Sequence, residues 1–206
     1  MQKFIIKLAL CIALSPIAFA APPSADNILR WLIEPAGNTI VQKIEPITLK
    51  GGEEAYLASV EFPDKGRNFG AGYILARPKF KQSILLRDFG GQINTVTQVA
   101  SYATGSLLII GSAGSGQGQM KVDQFVVYFD SWKAKVVFKV QSYNNFGNCG
   151  ADYISPCEGV DTFINPLSIG NSKETFAAIT QVNYVGPDSN ALKRTATIKI
   201  VPLPAP

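Results

Sequence analysis

The run TATIKIV over residues 195–201 sets Ala196, Ile198 and Ile200 against Thr195, Thr197 and Lys199. A two-residue alternation belongs to a pleated strand; wound into a helix it would scatter its apolar side chains around the axis. The pattern recurs along the chain. In EEAYLASVEF, Tyr56, Ala58, Val60 and Phe62 share one face while Ala55, Leu57, Ser59 and Glu61 share the other, and the turn PDKGRN leads into FGAGYILAR, a hairpin signature. Further strands are expected over residues 83–87, 94–102, 106–110, 122–129, 134–142, 175–184 and 195–201, separated by Gly, Asn, Asp and Pro. This spacing predicts a mainly β chain: a single antiparallel β-domain built as a sandwich, a barrel or a propeller-like meander. The exception is SADNILRWLIE, residues 24–34, where Ile28, Leu29, Trp31, Leu32 and Ile33 form an apolar stripe behind Ser24 or Asp26 as N-cap and ahead of Pro35. One short N-terminal helix is predicted there, packed on the domain's own sheet because so short a helix is marginal alone.

The opening residues MQKFIIKLALCIALSPIAFA combine Lys3 and Lys7, an apolar core from Leu8 to Leu14, a break at Pro16 and the small-residue ending Ala18-Phe19-Ala20. They read as a secretory signal peptide over 1–20, cleaved near Ala20. Leu10 is too bulky for the position ahead of a lipidated cysteine, so Cys11 is assigned to the signal. Residues 21–206 are then one β-rich domain with a short Pro-rich tail, PLPAP, periplasmic or secreted. No later stretch holds the roughly 18 continuous apolar residues of a membrane helix. Loss of Lys3 and Lys7 lowers the formal charge from +4 to +2, and the remaining Lys and Arg are scattered, which argues against nucleic acid as a partner. Cys149 and Cys157, in NNFGNCGADYISPCEG, are the remaining pair and are expected to form a disulfide.

The segment GSAGSGQG, residues 111–118, has the composition of a phosphate-binding loop but not its spacing. The lysine and hydroxyl that must follow the last glycine are absent, and VDQFVVYF behind it reads as a strand rather than the helix whose N-terminus would hold an anion. Its glycines are expected instead to supply positive φ in a connection between strands. The unit over residues 106–142 resembles one propeller blade, and NFGAG at residues 68–72 resembles an integrin-type propeller repeat. The alternating Asp/Asn calcium loop is missing beside both, and one blade-like unit falls short of the roughly four a propeller needs.

The chain contains no histidine, which removes Ser-His-Asp and Cys-His relays and imidazole metal sites. Paired carboxylates remain possible for glycan chemistry, with Asp130, Asp152, Glu158 and Asp161 as candidates. No metal or cofactor is expected. The surface favoured for binding joins the glycine loop, through Gly114, Gly116 and Gln117, to the aromatics Tyr143, Phe146 and Tyr153 around the cysteine segment and to Trp132 in the turn DSWK. The sequence thus predicts an exported, non-enzymatic binding protein of the cell envelope, of inhibitor, immunity or accessory type. Its expected partner is an envelope protein or a secreted enzyme. The alternatives are a carbohydrate-binding module or a carboxylate-dependent glycan-active enzyme.

Overall fold

The structure is a computed structural model that describes residues 21–150, 156–168 and 174–205. Helix α1 (Ala25–Arg30) begins where Ser24 Oγ accepts the Asn27 N–H at 3.2 Å, with Asp26 in the first turn and Arg30 in the last, both favourable for the helix dipole. It ends earlier than the predicted residue 34. The Ile33 N–H donates to the Ser83 carbonyl at 3.1 Å and the Ser83 N–H to the Trp31 carbonyl at 2.8 Å, so a sheet edge takes the backbone groups a further helical turn would use.

Among the described residues eleven strands follow, in two antiparallel sheets. The first is the meander β1 (Ile40–Thr48), β2 (Glu54–Glu61), β3 (Ala71–Arg77) and β4 (Gln82–Leu85). The second runs in chain order through β5 (Val96–Tyr102), β6 (Gly105–Gly116), β7 (Gln119–Asp130), β8 (Lys133–Asn144), β9 (Cys157–Ser168), β10 (Thr175–Gly186) and β11 (Lys193–Leu203). The chain is therefore mainly β, with one short α-helix among the described residues, as its alternation implies. Strands β1 and β9 lie outside the sequence expectation because proline and polar residues break their pattern. Pro46 sits on β1, an edge strand, and Pro166 on a part of β9 that β8 does not reach, so neither missing N–H interrupts a ladder. β8 and β9 pair only at Tyr143 with Val160 and Asn144 with Gly159. Beyond that point Ser142 Oγ accepts the Thr162 N–H at 2.8 Å and Thr162 Oγ1 donates to the Gln141 carbonyl at 2.8 Å, hydroxyls standing in for the ladder.

Three apolar clusters hold the layers together. Ile28 of α1 packs with Tyr56, Ala58, Val60, Ile74 and Ala76 on one face of the first sheet. Leu57, Tyr73 and Leu75 on its other face meet Leu108, Ile110, Val127 and Phe129 of the second sheet. Leu107, Ile109 and Val126, behind these, meet Ile164, Ala177 and Leu203. Strands β2, β3 and the first half of β6 are consequently buried on both faces, and the Ala55/Leu57/Ser59 side of β2, which alternation alone leaves undecided, is interior. At the far end of the second sheet β11 is exposed along nearly its whole length.

Candidate functional site: a groove at the junction of the sheets

The two sheets are joined by a backbone bridge at Gly90 and Gly91. Gly91 exchanges both hydrogen bonds with Ala71 of β3, at 2.8 and 2.9 Å, while the Gln92 N–H donates to the Ala113 carbonyl of β6 at 2.8 Å and the Ala113 N–H to the Gly90 carbonyl at 3.0 Å. Both glycines have positive φ, 112° and 105°, and a Cβ on them would lie 2.4 Å from the Ala71 oxygen and 2.1 Å from the Ala113 oxygen. Only glycine lets three backbone segments approach this closely. Next to the bridge, Asn68 behaves as a surrogate strand: its Nδ2 donates to the Ser115 carbonyl at 2.8 Å and its Oδ1 accepts the Ser115 N–H at 2.9 Å. Gln92 Nε2 donates to Asn68 Oδ1 at 2.7 Å and lies 2.6 Å from Ser115 Oγ.

Above this floor lies a groove of about 770 Å³, walled by Phe62, Phe69, Phe89, Met120 and Tyr143 and crossed by the backbone of residues 112–116. Its rim is unusual for the exposure of Phe69, at 68 %, and Met120, at 39 %. Several of the charges around it are engaged. Asp123 lies 3.2 Å from Lys139 Nζ and accepts Gln141 Nε2 at 2.7 Å, Arg87 is tied to Glu34, and Lys65 Nζ sits 4.2 Å above the Phe62 ring. Beside the Asp88 carboxylate on its lining, what the groove offers is shape, aromatic faces and backbone.

Of the residues singled out in the sequence, Gly114, Gly116 and Tyr143 line this groove. The glycines' role is corrected: Gly114 and Gly116 belong to β6 without positive φ, and the turn itself is Gln117 and Gly118, at φ 52° and 75°. The turn does lie beside the cysteine segment, for the Gly147 N–H donates to the Gly118 carbonyl at 2.9 Å and Asn148 Nδ2 to the Gln117 carbonyl at 2.7 Å. Cys149 and Cys157 are bonded, their Cα atoms 4.9 Å apart. Phe146 is committed to an edge-to-face contact with Tyr184, ring centroids 6.2 Å apart. Trp132 is not part of this surface. It lies at the opposite end of β7, where the Arg77 guanidinium, 4.7 Å from its ring, also contacts Phe80. Tyr153 lies outside the described residues, as does Asp152.

The remaining carboxylates do not gather. Asp130 ends β7 near Trp132, the Glu158 backbone is paired with Asn145, and Asp161 accepts the Tyr184 hydroxyl at 2.7 Å, a bond that raises the tyrosine's pKa. Among the described residues no group of three or more His, Cys, Asp or Glu side chains is placed to hold a metal ion. Asn68, Phe69, Phe89, Gly90 and Gly91 were missed from the sequence. Their available signal was the double glycine behind an aromatic in DFGGQ, which marks a close backbone approach. No protein-family model, no curated protein and no solved structure matches this chain.

Proposed function

We propose that this chain is an exported binding protein of the cell envelope, of inhibitor, immunity or accessory type, and that the junction groove receives its protein partner. The observation that carries the reading is the groove's construction: an open aromatic rim, with Phe69 at 68 % exposure, held over a backbone floor that glycines and the Asn68 amide fix in place. Large rigid side chains around a preformed concavity are the anchors protein interfaces use. Export is supported by the bonded cysteines, and no helix among the described residues is long and apolar enough to cross a membrane.

The test compares capture from envelope extract by the parent, by Phe69→Ala and by Tyr143→Ala, each first shown to melt with the parent. A partner held by the parent and lost with either variant supports the reading; equal capture by all three removes the groove from consideration. Phe69 and Tyr143 could equally stack on sugar rings, so the same proteins are screened on glycans and peptidoglycan with turnover followed. Glycan retention without turnover would assign a carbohydrate-binding module, and turnover a glycan-active enzyme.

A further inference from the structure

Strand β11 is the outermost strand of the second sheet, and its residues 193–200 are all exposed. It pairs with β10 in unbroken register from Lys193 to Leu203, with no bulge to turn the edge away. Ile198 and Ile200 are 71 % and 60 % exposed. Through Thr180, Ile198 shares a cross-strand row with Phe163, itself 48 % exposed. A long, regular edge with exposed branched residues is a template for another strand.

We propose that β11 pairs with β11 of a second copy of this chain, antiparallel about a two-fold axis at Ile198. Ile198 is the midpoint of Lys193–Leu203, so this register uses the whole strand. It sets Ala196 against Ile200, Thr195 against Val201, Arg194 against Pro202, and Thr197 against Lys199 of the second copy. The apolar face meets the apolar face, and each of the three cations of β11 meets a neutral residue. An axis at Thr197 also keeps the cations apart but shortens the ladder to residues 193–201, and two other nearby registers fail on charge: an axis at Ala196 opposes Lys193 to Lys199, and an axis at Lys199 opposes that lysine to itself. Like charges placed directly across a ladder are unfavourable, so the lysines that would ordinarily guard such an edge here narrow its register, and the length of the ladder favours the axis at Ile198. Pro202, which has no N–H to give, falls near the end of the ladder, where fraying is cheap.

The pairing is independent of the groove, and its test is the association state of the purified, oxidised protein by sedimentation from about 1 μM to about 1 mM, a range that spans weak to moderate dimers. The expected result is a concentration-dependent dimer. Ile198→Lys and Thr197→Lys, each placing lysine against lysine, should weaken it at least about tenfold. Thr197→Glu should strengthen it, because glutamate then faces Lys199 twice, and added salt should erase that gain. These positions are solvent-exposed, so unchanged melting of the dilute variants shows that the fold is kept. A parent that stays monomeric throughout the range overturns the proposal, including the case where β11 instead takes an acidic strand of another protein. So does a dimer indifferent to all three substitutions, or one that Thr197→Glu weakens as much as Thr197→Lys does.

Discussion

Tyr73 is fully buried, and its hydroxyl lies 2.5 Å from the Gly111 carbonyl and 2.9 Å from the Thr95 carbonyl while accepting the Gly111 N–H at 3.0 Å. One side chain of the first sheet thus satisfies backbone groups of the second, and burial pushes its pKa up, keeping it a neutral donor. Tyr73→Phe keeps the ring and strands those groups, and should lower stability by about 1–3 kcal/mol in urea unfolding. Nothing in GYILAR marks this tyrosine, because its partners lie on strands that only the fold brings near. Arg77 has a similar role at the other end of the sheets. It donates to both Glu53 oxygens at 2.7 Å and to Ser131 Oγ at 2.8 Å. The hydrogen bonds from Arg77 hold the Glu53 pKa below its ordinary 4.5, against the opposing effect of burial. A lowered folded-state pKa means the pair's contribution is complete above about pH 4.5 and is lost as pH falls through the folded value. Glu53→Gln should therefore narrow the stability gap between neutral and acid pH relative to the parent, measured by urea titration across pH 3–7.

At the scale of elements, the alternation of residues 54–62 and 195–201 was enough to place β2 and β11, and the apolar run of residues 106–110 to place the buried half of β6. The strands that escaped, β1 and β9, contain Pro46 and Pro166 and depend on having a neighbour on only one side at those points, a property of sheet order that a local pattern does not carry. The groove was half legible: Gly114, Gly116 and Tyr143 were found, but Phe69 reads as one more strand-end aromatic until β6 is laid beside it. The glycines can be separated by substitution. A Cβ on Gly118, at φ 75°, would lie 2.6 Å from Asn148 Cβ, whereas one on Gly116 meets nothing within 4 Å. Gly118→Ala should cost about 1–3 kcal/mol and Gly116→Ala almost nothing by thermal unfolding. Gly116→Ala then becomes a clean probe of the groove.

Across the whole molecule, protection falls from the doubly covered strands to the last one. β2, β3 and the first half of β6 lie between layers on both sides, while β11 has solvent along its outer edge and most of both faces. Native-state hydrogen exchange should be slowest in the former and fastest in residues 193–200 at low protein concentration. The stacking order could not be read in advance. A strand apolar on both faces is known to be interior, but not which neighbour covers which side.

The stacking of Trp132 against Arg77 also gives the molecule an optical property. The chain has two tryptophans, and they occupy different layers: Trp31 closes α1 outside the first sheet, and Trp132 lies under the guanidinium at the sheet ends. Neither indole lines the groove. Tryptophan emission consequently has no reporter inside that cleft, and follows the scaffold from two separate places instead. With Trp31→Phe, the remaining signal would follow the release of Arg77 in acid, ahead of global unfolding, with no label attached.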